Sequence, residues 1–199
     1  MAAYDQAIAL WEGLRQSLGN QFAPSMADIL ARTYTSHGVA LYKTDNHQGA
    51  SADFDQAISL WEGLRQSLGD QFAPDMADNL AWAYGSRGVA LLMIDDIQGA
   101  LAAYDQAIIA LGEGLRQSLG DQFAPSMANR LAGAYTGRGS ALQMIGDIQG
   151  ALAAYDVAIA LWEDLREKSG GESRKEYAQM LEQIKITRTQ ILTNTDAKN

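Results

Sequence analysis

The tetrapeptide DQAI at residues 5–8 sets the architecture of the whole chain. It returns unchanged at residues 55–58 and 105–108, and as DVAI at residues 156–159, so successive copies lie 50, 50 and 51 residues apart. A second segment, LRQSLG, accompanies the first three copies. Self-similarity at a fixed period of about 20–50 residues is the signature of repeat architectures. The sequence therefore predicts a tandem array whose unit is about 50 residues long.

Each unit has the pattern of two helices, which we term helix A and helix B. In the middle unit we expect helix A to begin with an N-cap at Asp75 and to end at the pair Asp95 and Asp96, where local side-chain hydrogen bonding favours a turn. Helix B follows from Ile97, with apolar residues spaced by three or four, and Gly120 is its expected C-terminal stop. The period-2 alternation of strands is absent, so the predicted class is all-α.

Applied along the chain, this pattern predicts eight helices in a single repeat domain that spans residues 1–199. A polar outer side is expected on the last helix, as on a terminal cap. The expected elements are a lone helix B over 1–20, helix hairpins over 25–70, 75–120 and 126–169, and a C-terminal capping helix over 172–193.

Helix B carries alanine and an aromatic residue four positions apart, Ala100 and Tyr104, followed by Ala107, while helix A carries Gly88. In this pattern the chain resembles the tetratricopeptide repeats over most of its length. The resemblance implies a right-handed α-solenoid of antiparallel hairpins, a superhelix whose A helices line a concave, ligand-receiving surface. The equivalent residues in the neighbouring repeats are Gly38, Ala50, Phe54 and Ala57, and Gly139, Ala151, Tyr155 and Ala158.

The chain also departs from that family in informative places. Tyr84 and Arg87 stand where the family has a large Trp and Leu before the helix A glycine, and the proline that normally ends helix B is missing. The repeat is longer than the family period of about 34 residues, and the surplus would lengthen each helix by about two turns. Long-armed members of the superfamily are scaffold and signalling proteins, so the resemblance implies binding.

The resemblance assigns the candidate binding residues to the concave face of the A helices. Thr35, Val39, Gly85 and Val89 do not supply the lysine, asparagine and arginine of the family's carboxylate clamp, and the apolar and methionine content of this face favours an amphipathic helix or an extended apolar peptide. The alternative is that the long arms bury these residues in the core. The candidates, which we term the groove positions, are Arg32, Thr35, Val39, Tyr42, Lys43, Trp82, Gly85, Val89, Leu92, Met93, Thr136, Ser140, Gln143 and Met144.

Composition argues against catalysis and cofactor binding. The chain has no cysteine, which removes thiolate chemistry, and its net charge of -9 disfavours nucleic acid. The two histidines, His37 and His47, lie in one repeat without visible catalytic or metal-binding partners, and Asp95 and Asp96 are expected to be helix caps. We therefore expect no enzyme activity, no metal and no cofactor, and a protein or peptide as partner.

Location and assembly form the last group of expectations. No membrane span or secretory signal is visible, so the expected location is the cytoplasm. Trp11, Trp61 and Trp162 are expected to pack between hairpins. The first helix has no preceding helix A to cover its apolar stripe, and Tyr4, Ile8 and Trp11 are therefore candidates for self-association, which would make the chain a homo-oligomer. The alternative function is accordingly a self-assembly module of a larger signalling or regulatory protein. Missing N-terminal helices of a longer protein are the alternative cover.

The third repeat has one extra residue near Gly112, between the motif at 105–108 and the next leucine-rich segment. One inserted residue turns a helix by about 100°, so the apolar stripe is restored only through a local distortion. We predict a π-type turn or a bend around residues 111–115.

Overall fold

A computed structural model of the chain describes residues 1–112 and 125–196, with side chains up to residue 194. The described residues contain eight α-helices and no strand, so the chain is all-α, a solenoid of helix hairpins as predicted. It forms two compact units, Met1–Ala110 and Leu111–Asn199. The helices are α1 (Ala2–Leu18), α2 (Pro24–Tyr42), α3 (His47–Leu68), α4 (Pro74–Leu92), α5 (Ile97–Ala110), α6 (Pro125–Met144), α7 (Ile148–Lys168) and α8 (Gly171–Asp196).

Within each unit, helices that follow one another along the chain pack together. The A/B hairpins are α2 with α3, α4 with α5, and α6 with α7, while α1 packs on α2 and α8 packs on α7. Within the described residues, no helix is both long enough and apolar enough to cross a membrane.

The A helices begin at a proline. Pro74 is the first residue of α4, and the preceding N-cap, Ala73, makes no side-chain capping bond. The predicted N-cap at Asp75 is therefore wrong. Proline lacks the N–H that would be unsatisfied at this position, and its fixed φ suits the first helical turn, so the helix starts one residue before the acid. Asp75 instead lies in the first turn, where its charge favours the positive end of the helix dipole.

The B helices of the three hairpins begin at a side-chain cap. Asp96 Oδ1 accepts a hydrogen bond from Gly99 N at 2.9 Å, and Asp95 adopts a positive φ of 60° in the turn before it. The prediction that this acidic pair caps a helix is confirmed for Asp96. Asn46 and Asp147 make the same bond at the starts of α3 and α7.

The two helices of a hairpin meet where a glycine faces an aromatic ring. A Cβ atom on Gly88 would lie 2.8 Å from the ring of Tyr104, closer than a side-chain carbon can approach. Tyr104 is buried, so its ring has little room to move. The same close approach joins Gly38 to Phe54 in the first hairpin and Gly139 to Tyr155 in the last.

In two of the hairpins, a tryptophan of helix B joins the two helices at the end away from their connecting turn. Trp61 is fully buried, and its Nε1 donates to Asp28 Oδ1 at 2.8 Å. Trp162 makes the equivalent bond to Asn129 Oδ1, also at 2.8 Å. Trp61 also packs against Leu80 and Ala83 of the next hairpin, so its predicted packing between hairpins is confirmed, while Trp162 is buried. Each tryptophan additionally satisfies its polar N–H.

Successive hairpins of the first unit are joined by two repeated contacts. Tyr84 Oη donates to Glu62 at 3.1 Å, and Arg87 pairs with Asp55 at 2.5 Å. Both side chains occupy the positions that depart from the tetratricopeptide pattern, so the departures have a structural role. Tyr34 and His37 make the equivalent contacts to Glu12 and Asp5 of α1.

The last helix, α8, repeats these contacts and therefore occupies the place of a helix A. Lys185 Nζ lies 2.6 Å from Glu163, and Arg188 Nε lies 2.6 Å from Asp156, both on α7. The sequence spacings, 22 and 32 residues, equal those of Tyr34 to Glu12 and His37 to Asp5. The expected capping helix thus packs on α7 through the same contacts that join a helix A to the preceding helix B elsewhere in the chain.

The third helix B stops early. Helix α5 ends at Ala110, and Leu111 lies in a turn, so no regular helix passes through this point. The predicted stop at Gly120 lies within residues 113–124, which are outside the described residues, and the π-type turn stays a prediction.

Candidate protein-binding site

Helix α4 presents the apolar part of the predicted groove. Trp82, Val89 and Met93 are 37%, 40% and 55% exposed, whereas the alanines and leucines on the opposite side of α4 are buried. Leu92 and Gly85 are half-buried beside them. The alternative that Trp82 and Met93 lie in the core is therefore wrong. Exposed apolar side chains on one helix face are available to anchor a partner.

The groove positions of α2 are different in character. Arg32 and Lys43 are exposed, whereas Val39 and Tyr42 are half-buried and pack beside the buried Phe54. Thr35 is buried, and its hydroxyl donates to Ala31 O at 2.8 Å within the helix. Its assignment as a ligand contact is wrong, because a threonine hydroxyl that bonds back to its own helix is satisfied and inaccessible.

In the second unit, Thr136 and Ser140 line a pocket of about 350 Å³ between α6, α7 and α8. The floor is the Tyr155 ring, whose hydroxyl lies 3.2 Å from both Ser140 Oγ and Gln143 Oε1. Met144, a half-exposed side chain, stands at the C-terminal end of α6. The remaining lining residues are Trp162, Gln179, Met180, Gln183, Ile184 and Thr187.

The contribution of α8 to this pocket was not predicted. Met180 and Ile184 of α8 occupy the repeat positions of Asn79 and Ala83 on α4, and Ala83 is fully buried in the core of the first unit. Larger apolar residues thus stand at the pocket where an internal repeat has small ones. Aligning α8 as a fourth helix A in the sequence would have revealed this difference, because Met180 falls at the position of Asn79 and Ile184 at that of Ala83.

His37 is held in a structural contact with α1 and α3. Its Nδ1 lies 2.6 Å from Asp53 Oδ2 and its Nε2 lies 3.4 Å from Asp5 Oδ1. Burial raises the pKa of the Asp53 carboxyl, and the neighbouring imidazole opposes that rise. Arg87 occupies the same position in the next repeat and pairs with Asp55. Because an arginine at the equivalent position also pairs with an aspartate, we interpret His37 as a packing and charge-pairing residue of this interface.

His47 lies in the first turn of α3, with its ring centroid 4.9 Å from that of Tyr42. Among the residues that the structure describes, no group of three or more His, Asp or Glu side chains is arranged to hold a metal ion.

Of the predicted self-association residues, Tyr4 lies on a face of α1 beside α2, with its ring centroid 5.8 Å from that of His37. Tyr4 is 37% exposed, whereas its equivalent Phe54 in α3 is 1% exposed, and Ile8 and Trp11 are half-buried. No residue of α1 is buried. A cleft of about 530 Å³ runs beside this face, between α1 and α2, and is lined by Ala3, Tyr4, Ala7, Ile29, Arg32, Thr33 and Ser36.

Comparisons with known proteins agree with the fold. No protein-family model and no curated protein matches the chain. The crystal structure of BtubC (BKLC) from P. vanneervenii is similar, with a TM-score of 0.59 at 13% sequence identity over 98% of this chain and 75% of that chain. Likeness at this low identity shows a shared fold and carries no function with it.

Proposed function

We propose that the chain is a non-catalytic scaffold that binds a peptide or an amphipathic helix of another protein on the exposed face of its A helices. The proposal rests mainly on Trp82, Val89 and Met93, which stand exposed together on one face of α4. Large aromatic and methionine side chains at a surface are the usual anchors of protein interfaces. The cytoplasm is the proposed location.

The pocket of the second unit supports the same function independently. Its lining is mostly apolar, and the hydroxyl groups of Tyr155 and Ser140 supply a few fixed polar positions. That combination suits an apolar side chain whose backbone or terminus needs a hydrogen-bond partner. Arg32 and Lys43 on α2 favour partners with acidic groups beside the apolar anchors.

We also propose that the chain is a long-armed relative of the tetratricopeptide repeats. The close contacts of Gly38, Gly88 and Gly139 with helix B aromatic rings support this relation, because they explain why both signature residues are needed together. The A-helix location of the groove positions follows from that relation.

The test is a binding comparison on an array of short synthetic peptides of graded apolar and acidic content. We expect the wild-type chain to retain a subset of apolar and amphipathic peptides. The double variant Trp82→Gln, Met93→Gln should bind these peptides at least about tenfold more weakly, because removing an interface anchor costs about 1–2 kcal/mol or more.

The matched control is Ile109→Gln with Val157→Gln, which removes two apolar residues exposed on B helices, at 62% and 40%. It should retain the same peptides as wild type. Equal losses in the two variants, or no peptide retained by wild type, would reject the groove.

The exposed face of α1 favours a second candidate function, association of the chain through Tyr4, Ile8 and Trp11, including pairing of two copies. This face is distinct from the groove positions of α4 and of the second unit, so the two functions can be tested separately.

A further inference from the structure

We propose that the pocket of the second unit is a binding site for an uncharged aromatic ring that carries one hydrogen-bond donor, such as the hydroxyl group of a phenol. The pocket has a volume of about 350 Å³ and lies between α6, α7 and α8. The proposal names the ligand chemistry of this pocket, and it holds whether or not the exposed face of α4 binds a peptide.

The first step is the lack of charge on the pocket wall. The nine described residues that line the pocket include no aspartate, glutamate, lysine or arginine. A charged ligand would lose part of its hydration shell on entering and would meet no opposite charge in return, which is costly. The ligand that this wall favours is therefore uncharged.

The apolar part of the wall favours a flat ring. Tyr155 and Trp162 contribute aromatic side chains, and Met180 and Ile184 contribute flexible and branched apolar ones. Aromatic rings pack well against one another in offset or edge-to-face arrangements, and methionine sulfur makes favourable contacts with ring edges. The volume is at the small end of the usual range for ligand pockets, so it suits one or two fused rings.

The aliphatic hydroxyl groups of the wall have already used their protons. Thr136 Oγ1 donates to Ala132 O at 2.9 Å, and Ser140 Oγ donates to Thr136 O at 3.1 Å, both within α6. On α8, Thr187 Oγ1 donates to Gln183 O at 3.1 Å. A hydroxyl group has one proton and two lone pairs, so each of these oxygens can still accept a hydrogen bond but has no proton left to donate.

The Tyr155 hydroxyl completes this set. It lies 3.2 Å from Ser140 Oγ and donates to Gln143 Oε1 at the same distance. Because Ser140 donates to its own helix, the phenol proton of Tyr155 is used by Gln143 or by Ser140 itself. The hydroxyl groups of the wall thus offer acceptors, and the complement is a ligand that donates.

The other repeats show that this polar set is not required by the fold. Counted from the helix A glycine, the position of Ser140 is taken by valine in the first two hairpins, and the position of Gln143 by tyrosine and leucine. Thr136 is half-buried and lines the pocket, whereas its equivalent Thr35 is 1% exposed. Packing of the repeat therefore does not explain why Ser140 and Gln143 are polar, and a ligand site does.

The test compares three ligands that share a naphthalene ring and differ in one group: 2-naphthol, 2-methylnaphthalene and 2-naphthoate. Equilibrium dialysis at pH 7 measures their binding to the full chain. We expect saturable binding of 2-naphthol. Binding of 2-naphthoate should be at least about tenfold weaker, because its carboxylate would be desolvated without a partner.

The acceptors are tested with the variant Thr136→Val, Ser140→Ala, Thr187→Val, which removes three hydroxyl oxygens from the wall and leaves its rings in place. The preference for 2-naphthol over 2-methylnaphthalene, taken as the ratio of their dissociation constants, should fall about three- to tenfold in this variant. Ser140→Ala alone should show part of the same fall, which keeps the test available if the triple variant unfolds. Circular dichroism establishes that each variant retains its helices.

The matched control makes the same three replacements outside the pocket, in the variant Thr33→Val, Ser36→Ala, Thr189→Val. These hydroxyl groups also donate to carbonyl groups of their own helices, so the control loses the same kinds of hydrogen bond. It should leave the ratio unchanged. The variant Trp82→Gln, Met93→Gln should bind 2-naphthol like wild type, so a failure of the α4 face and a failure of the pocket are told apart.

Capped glycine peptides with one central tyrosine or phenylalanine establish where the ring comes from. Displacement of 2-naphthol by the tyrosine peptide at lower concentration assigns the pocket to a side chain of a partner protein, and displacement by neither peptide assigns it to a free molecule. Both results support the proposed chemistry. Equal or stronger displacement by the phenylalanine peptide would overturn it, as would an unchanged ratio in the pocket variants, 2-naphthoate binding as tightly as 2-naphthol, or no binding of 2-naphthol.

Discussion

At the scale of single residues, glycine sets the distance between the helices of a hairpin. Glycine in a helix interior costs about 1 kcal/mol relative to alanine, so its presence in α4 needs a reason. At Gly88 the reason is the ring of Tyr104, which occupies the space of a Cβ atom, whereas nothing lies within 4 Å of a Cβ built on Gly85. Substituting alanine at these two positions of one helix should therefore change the stability in opposite directions.

We predict that Gly88→Ala destabilises the chain by about 1–3 kcal/mol, because the buried ring must shift to admit the methyl group. Gly85→Ala, three residues away on the same helix, should stabilise it by up to about 1 kcal/mol through helix propensity. Urea unfolding followed by circular dichroism measures both. Equal effects of the two substitutions would show that the close approach to Tyr104 does not limit packing.

At this scale the sequence predicted the apolar stripes of the helices but not the hydrogen-bond partners of the residues in them. The spacing of Trp61 on its helix predicted burial, but its hydrogen bond to Asp28 joins residues 33 positions apart on different helices, and no local pattern specifies such a bond. Thr35 was placed in the groove by its position, although its hydroxyl could satisfy itself within the helix and the residue is buried.

At the scale of elements, tyrosines bridge consecutive hairpins in the first unit. Burial raises the pKa of Tyr34 to about 12, and its hydrogen bond to Glu12 acts in the same direction. Burial, with the charge of Glu62, likewise raises the pKa of Tyr84 to about 12. A phenol that donates to a carboxylate cannot ionise without turning the contact into a repulsion.

These shifts predict an alkaline weakening of the first unit. The folded pKa values exceed the ordinary value of 10, so the stabilising neutral form is fully present below pH 10 and is lost as the pH rises toward 12. The destabilisation caused by Tyr34→Phe with Tyr84→Phe should therefore shrink between pH 8 and pH 11, as measured by urea midpoints. A cost that is unchanged across this range would contradict the bridging role.

The helix boundaries were predicted from turn chemistry with good success where a side chain caps the helix, as at Asp96. They were predicted less well where proline begins the helix, because the rule for acidic caps competes with the preference of proline for the first turn. The place of α8 as a fourth helix A was hidden, since Thr189 and Glu182 replace the glycine and alanine by which a helix A is recognised.

At the scale of the whole molecule, the exposed face of α1 predicts concentration-dependent behaviour. If two copies pair through this face, the average mass of the wild type and of Leu10→Glu should rise with concentration in sedimentation equilibrium, while Ile8→Glu with Trp11→Glu stays monomeric. A wild type that remains monomeric at high concentration would exclude the homo-oligomer and leave the groove function untouched.

The all-α repeat architecture followed from two signals in the sequence, the 50-residue period and the helical spacing of apolar residues, because few folds have both. The binding face was predicted only in outline. Which groove residues stand exposed depends on how neighbouring helices pack, and the local pattern did not separate the buried Thr35 from the exposed Trp82.

The repeated contacts between helices have a consequence for how such a chain changes length over generations. The side-chain bonds that join the helices, such as Asp28 with Trp61 and Asp5 with His37, span 33 and 32 residues, less than one period of 50. Unequal recombination that adds or deletes one period therefore carries both partners of such a bond with it. The array can grow or contract in a single genetic step, without compensating substitutions, and the near-identity of residues 5–19 and 55–69 is what a recent event of this kind would leave.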